Sequence, residues 1–460
     1  MKNTPLMRFQ TLAQLLALCA AVLLAGCGGG GGAPPEATAQ VKTPPPPRYL
    51  PQIFVTAEED AHQKMAQKFE NSEEYMPRAW DKNGRTTKPS RQLAQINAAM
   101  AYARGATGKG EIVAVSDIGF YRDVQNEEFE DKIVYLGPGP GPGIGLVWNH
   151  GTVVSSLIAA RRDEKGGIGN MHGVAFDAKL ALRKTVSRLF RADLRFVTEK
   201  ENKDVVRDVI NLDYAREHGA AIANFSFSPT FRSYIHEYPE KVFTENFQYT
   251  VDYLAQKDTP AEDKIIVVWG AGNRGADSPS VASGFGVYFP ELREHVLTVV
   301  AVDQKGKIAE FSNRCGIAEA FCLAAPGEDI VHANADKNAL SRPASGTSLA
   351  APLVSGGLAL LRQYFRDDDG TRQLGNTELV SRLLATAYRG KVYEETPDEV
   401  DYSDSDIYGR GLMDLDAATK PYCSTGDDDD CMMTSLSTDP NAQPFNPAAF
   451  SLSGNAFGGA

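Results

Sequence analysis

Three short segments, far apart in the chain, carry the residue types from which a nucleophilic hydrolase is built. Asp117 lies in Ser116-Asp117-Ile118-Gly119, His150 in Asn149-His150-Gly151-Thr152, and Ser348 in Gly346-Thr347-Ser348-Leu349-Ala350-Ala351-Pro352. A serine hydroxyl is a weak nucleophile until an imidazole takes its proton, and the imidazole works best when a carboxylate fixes its tautomer. Each segment alone has an ordinary structural explanation. An Asp at a strand end commonly caps a turn, and a lone His is commonly a core residue. Only their coming together would give chemistry.

The elements around them are of the kind that could hold them. Residues 112–115, Ile-Val-Ala-Val, form a short apolar run ending just before Asp117, and 265–268 and 296–302 are two more. Such nearly continuous apolar runs, separated by helix-length stretches such as 204–218, predict a mostly parallel central sheet covered by helices on both faces, a three-layer α/β arrangement. Asp117 then stands at the carboxyl end of a parallel strand, where such sheets bind ligands. His150 is expected in the first turn of a helix whose small residues Gly151, Ser155, Ala159 and Ala160 allow close packing. The alternation of Gly and Pro from Gly137 to Gly143 reads as an exposed loop before it. Ser348 is expected at the N-terminus of an apolar helix, where free N–H groups and the helix dipole favour developing negative charge. Pro352 is expected within that helix's first turn, where no backbone donor is lost.

Taken together, the D-x-G, N-H-G-T and G-T-S-x-A-A-P segments, in the order Asp, His, Ser, resemble the active-site motifs of the subtilisin-like serine proteases, the subtilases. The resemblance extends over roughly residues 93–420. Ile96-Asn97-Ala98 with Thr107-Gly108-Lys109-Gly110 is similar to the entry into the family's first strand. Gly173-Val174-Ala175 and the closing Gly409-Arg410-Gly411-Leu412-Met413-Asp414 also match it. It implies that Ser348 is the nucleophile, His150 its base and Asp117 the orienting acid. It implies that Asn273, in Val268-Trp269-Gly270-Ala271-Gly272-Asn273, supplies the amide donor of the oxyanion hole; alone, it would read as a turn Asn beside a glycine. It places Ser226, Phe227 and Ser228, with Ala271 and Gly272, along a bound peptide. Two positions depart from the pattern: Ile118 replaces a small polar residue, and Ser228 stands where a glycine commonly lines the first specificity pocket.

The N-terminus reads as an address. Lys2 and Arg8 precede an apolar run over 12–24, and Leu24-Ala25-Gly26-Cys27 resembles the lipobox of bacterial lipoproteins, so cleavage before Cys27 and acylation of its thiol are expected. Each buried CH₂ adds about 0.8 kcal/mol to such an anchor. The expected partition is a signal peptide over 1–26, then a lipidated Cys27 with a Gly/Pro-rich tether and polar extension over 27–92. A subtilase domain follows over 93–420, with a polar, mobile tail over 421–460. The localisation implied is the bacterial cell envelope, as an outer-membrane lipoprotein on its periplasmic face or surface. The tether and domain also resemble surface proteases that are autotransporter passengers, but about 40 residues after Lys420 are too few for an eight-stranded barrel. Excluding Cys19 in the signal and Cys27, four cysteines remain, and the local pairs Cys315 with Cys322 and Cys423 with Cys431 are the expected disulfides in an oxidising compartment. Neither pair has the two-residue spacing of a zinc knuckle.

The 460 residues are 42 % hydrophobic and 23 % charged, which fits a globular chain and excludes wholesale disorder. The net charge of −12 provides no basic surplus for phosphates, so no nucleic-acid partner is expected. No metal or other cofactor is needed for the chemistry. Structural calcium is common in subtilases, but runs of consecutive Asp at 367–369 and 427–430 lack the alternation of a calcium loop, so no site is assigned. The expected activity is a monomeric endopeptidase acting on proteins or peptides and tethered to a lipid bilayer. The alternatives are an inactive subtilase-fold surface binding protein and an unrelated ester or lipid hydrolase, though G-x-S-x-G is absent.

Overall fold

The computed structural model describes residues 57–120, 127–137, 149–164, 167, 169–185, 198–227, 234–333, 342–367, 370–392 and 400–420. The expected signal peptide, Cys27, the tether, Ser228, Cys423, Cys431, the acidic run 427–430 and the tail lie outside the described residues, as does most of the Gly/Pro loop.

Seven strands form the central sheet: β1 Ile112–Asp117, β2 Ile133–Leu136, β3 Lys179–Lys184, β4 Ile222–Phe225, β5 Ile266–Gly270, β6 Val296–Val302 and β7 Cys322–Pro326. Their order is β2-β3-β1-β4-β5-β6-β7, and every neighbouring pair is parallel. The helices used below are α1 Ala57–Glu70, α2 Ala98–Ala103, α3 His150–Ala159, α4 Glu199–Val205, α5 Leu212–Glu217, α6 Glu240–Asn246, α7 Gln248–Ala255, α8 Thr347–Tyr364 and α9 Asn376–Thr386.

Strand side chains alternate between two covering layers, as the period of two requires. Val113, Val115, Ile222, Ile266, Val268, Leu297 and Val299 face a core shared with α2, α3, α8 and α9. Ala114, Ala223, Phe225, Val267 and Trp269 face a second core with α5, α6 and α7. This explains why the interior strands are mostly apolar: both faces are dry, and the few polar side chains, such as Asn224 and Thr298, are buried with hydrogen-bond partners. Fully burying a side chain of the size of Val, Leu or Phe contributes about 1.5–3 kcal/mol. Edge strand β2 departs from the pattern, leaving Val134, Tyr135 and Leu136 exposed.

Two local expectations are corrected. The stretch 204–218 is not one helix: α4, capped by Thr198 with Glu201 in a reciprocal box, passes into a π-helical turn over Val206–Ile210, and left-handed Asn211 then caps α5. Pro352 does not sit in the first turn, because α8 begins at Thr347. It lies in the second turn, where its missing N–H deprives the Ser348 carbonyl of its helical donor.

Residues before 93 share the first core. Ala66, Tyr75 and Ala79 are buried in it. The Tyr75 hydroxyl donates to the Leu93 carbonyl (3.2 Å) and accepts from the Ala99 N–H (3.1 Å). Buried Glu74 accepts the N–H groups of Asp163 and Glu164, both at 3.0 Å, and so fastens the chain just beyond α3.

Candidate active site

The chain crosses from one side of β1 to the other between β3 and β4, so the carboxyl ends of β1 and β4 flank a topological switch point. Asp117 is the last residue of β1 and is fully buried. Its carboxylate accepts the Ile118 N–H at 2.7 Å. His150 is the first residue of α3, and its Nδ1 lies 2.9 and 3.0 Å from the two Asp117 carboxylate oxygens. An ionised carboxylate only accepts, so the proton sits on Nδ1 and the free lone pair on Nε2. The Gly151 N–H donates to the Gly119 carbonyl (2.8 Å), which seats the start of α3 beside β1. Burial lowers the imidazole's proton affinity, whereas the Asp117 charge and hydrogen bond raise it. The net effect places the pKa above its ordinary value of 6.5.

The hydroxyl and the amide come together around Gly346. Ser348 is the second residue of α8, whose N-terminus therefore faces the site. A Cβ at Gly346 would stand 2.8 Å from Ser348 Oγ, 3.4 Å from Asn273 Nδ2 and 3.7 Å from the Ser348 nitrogen. One small volume thus adjoins a serine hydroxyl and two N–H donors, an arrangement able to hold a carbonyl oxygen as it gains charge. No hydrogen bond joins Ser348 Oγ to His150 among the described residues. Such contacts often tighten only when substrate binds.

Asn273 is oriented by Thr347, whose N–H and hydroxyl both donate to Asn273 Oδ1 (2.8 and 2.9 Å). That uses the amide oxygen and leaves Nδ2 to face the volume at Gly346. Thr347 Oγ1 also accepts the Gly272 N–H at 3.1 Å. The sequence reading passed over Thr347 although it adjoins Ser348. It also passed over His332, which is pulled below its ordinary pKa by burial first and, in part, by the charge of nearby His150. His332 has no local motif to mark it.

Beyond β4, the buried Ser226 hydroxyl accepts from Asn224 Nδ2 (2.9 Å), and Asn224 Oδ1 accepts from Ser355 of α8. The Phe227 carbonyl takes the Trp269 indole N–H at 2.7 Å, and Phe225 stacks on Trp269 at 4.8 Å. Ser226 and Phe227 therefore lie next to the segment leading to Ala271 and Gly272. Cys315 and Cys322 form a disulfide. Among the described residues no group of three or more His, Cys, Asp or Glu side chains is placed to hold a metal ion.

A model of the subtilase family matches residues 108–411, more than half of the chain. The chain belongs to the subtilase family. Its relatives include serotype-specific antigen 1 of Mannheimia haemolytica, 25 % identical over 58 % of this chain and 31 % of that protein. An extracellular serine protease of Serratia marcescens is 27 % identical over 63 % of this chain and 31 % of its own. The subtilase thus spans about a third of the length of these two curated relatives. The major intracellular serine protease of Bacillus subtilis is 28 % identical over 66 % of this chain and 88 % of its own. Among solved structures, MycP1 from the ESX-1 type VII secretion system aligns with a TM-score of 0.50 at 22 % identity, covering 81 % of this chain and 93 % of its own. A PatG macrocyclase domain aligns at 0.51 and 18 %, covering 70 % and 94 %. These likenesses establish the subtilisin-like fold.

Proposed function

We propose that this subtilase is a serine endopeptidase. The observation that carries the reading is the pairing of His150 with buried Asp117 at the sheet's switch point, together with Ser348 Oγ and two N–H donors around one volume at Gly346. Ser348 Oγ attacks the scissile carbonyl as its proton passes to His150 Nε2, and the imidazolium so formed is stabilised by Asp117. The carbonyl oxygen, now negative, is held by the Ser348 N–H and Asn273 Nδ2. His150 then gives the proton to the departing amine, and water, activated by the same imidazole, releases the acyl group. An extended peptide lies along 226–227 and 271–272 by backbone pairing, which suits cleavage within chains rather than at their ends.

In this reading the enzyme works in the cell envelope, with Cys27 carrying the lipid anchor. Support comes from the Leu24-Ala25-Gly26-Cys27 segment. Support also comes from the disulfide between Cys315 and Cys322, which belongs to an oxidising compartment.

Hydrolysis of an unstructured protein such as casein, by purified protein and by Ser348→Ala side by side, tests the activity. Internal cleavage by the first and none by the second is expected. Absence of cleavage by both, with no label from an active-site fluorophosphonate, would leave a binding protein on a subtilase scaffold. Turnover of esters but not peptides would point to the other hydrolase class.

A further inference from the structure

Asn273 has its side-chain oxygen fixed by Thr347, but an oxyanion donor also needs its backbone held still. Residues 271–276 form an irregular segment after β5, and Asn273, Arg274 and Gly275 are exposed. An exposed loop is a poor platform for a group that must be placed within about half an ångström. The structure provides a brace from elsewhere. Asn313, 40 residues downstream and 1 % exposed, threads its side chain into the concave side of this loop. Asn313 Oδ1 accepts the N–H groups of Arg274 (3.1 Å) and Ala276 (3.2 Å). Asn313 Nδ2 donates to the Ala271 carbonyl at 3.0 Å, and the Asn313 N–H donates to the Gly272 carbonyl at 2.9 Å.

We propose that Asn313 is a positioning residue for the oxyanion donor, clamping the backbone on both sides of Asn273. The inference rests on the catalytic reading given above. A primary amide meets the need, because it accepts two N–H groups at one end and donates to a carbonyl at the other. Gly272 makes room for it. At φ 115° that glycine holds a conformation L side chains rarely adopt, and a Cβ there would lie 2.5 Å from Asn313 Nδ2. Asn313 is itself anchored: the neighbouring Ser312 hydroxyl accepts the Ala301 N–H of β6 (2.9 Å) and donates to the Asn313 carbonyl (2.8 Å). A continuous set of hydrogen bonds thus runs from the buried strand β6 to both flanks of Asn273.

The test is a double-mutant cycle on kcat, with active sites counted by fluorophosphonate titration so that only folded enzyme is compared. Asn273→Ala is expected to lower kcat about 10²–10³-fold. Asn313→Ala is expected to lower kcat at least tenfold with KM changed less than threefold. In the Asn273→Ala background, Asn313→Ala is expected to change kcat less than twofold, because the donor it positions is gone. Asn313→Asp keeps both acceptor contacts and loses the donor, so it should fall between wild type and Asn313→Ala. An unchanged kcat in Asn313→Ala, or the same fold loss in both backgrounds, overturns the proposal. A loss confined to the number of titratable sites, in Asn313→Ala and Asn313→Asp alike, does so too. If Asn273→Ala itself leaves kcat unchanged, the oxyanion assignment has failed, and that result is separate from failure of the clamp.

Discussion

Asp117 and His150 set an electrostatic balance that can be read by titration. Because burial lowers and Asp117 raises the imidazole pKa with a net upward effect, the acid limb of kcat/KM should have its midpoint above 6.5. Nuclear magnetic resonance titration of His150 in Asp117→Asn, where only burial remains, should give a value below 6.5; a value unchanged from wild type would remove Asp117 from the account. The linkage to stability has the opposite sign. A pKa raised in the folded state means that the pair's contribution is full below about pH 6.5 and is lost as pH rises through the folded value. The protein therefore gains activity as it loses this increment of stability. At this scale the sequence was partly legible. Asp117, His150 and Ser348 stand in dense local motifs, whereas Asn313 acts through a loop 40 positions away and could be found only once the fold brought the two together.

At the level of elements, the strand-to-helix junctions carry the site, and they are where substitutions should be felt. Gly346 lies beside the reaction volume, and a Cβ there would crowd Ser348 Oγ at 2.8 Å. Gly346→Val should therefore lower kcat by about 10² or more, the scale of a 1 Å misplacement, while the melting temperature falls little. Retained kcat would mean that this volume is not where the substrate carbonyl sits. The disulfide closes a short loop between residues seven apart, two positions beyond Asn313. Loop entropy assigns it about 2–3 kcal/mol, so Cys315→Ala with Cys322→Ala should melt several degrees lower, and an unchanged midpoint would contradict the estimate. Strands β1, β5 and β6 were readable because burial on both faces leaves a mostly apolar run, whereas β3 and β4 were not, since Lys179, Arg183 and Lys184 interrupt the one and Asn224 the other. The interruption at 206–211 was not, since a π-turn and a left-handed Asn leave no gap in the apolar pattern. Pro352 was misplaced for a similar reason: composition locates a helix far better than it locates its first residue.

The whole molecule includes more chain than its motifs mark out. Tyr75, Ala66 and Ala79 close one side of the core, and Glu74 holds the segment that follows the His150 helix. Removal of residues 57–92 should cost about 3–5 kcal/mol through lost apolar burial alone, seen as a lower thermal midpoint and as loosened hydrogen exchange along α3. An unchanged midpoint would show those residues to be a dispensable covering. This packing was hidden in the sequence because the segment is polar overall, with its few buried side chains spaced too widely to form a pattern. Buried histidines are expected to make the fold acid-sensitive, which thermal midpoints measured from about pH 7 down to about pH 4 would check. His172 and His295 are fully buried, and burial lowers both to about 4. Groups depressed in the folded state stabilise it above the unfolded value near 6.5, and that stability is lost as pH falls from there toward 4, roughly 3 kcal/mol for each.

In the proposed mechanism Ser348 is a nucleophile activated by His150 beside a preformed pair of N–H donors. The most direct measurement is the rate and site of fluorophosphonate attachment, read by mass spectrometry of the digested protein, for wild type, His150→Ala and Ser348→Ala. One adduct is expected, on Ser348, formed at least 10³-fold more slowly in His150→Ala and not at all in Ser348→Ala. An adduct on another residue, or equal rates with and without the His150 imidazole, would contradict that mechanism.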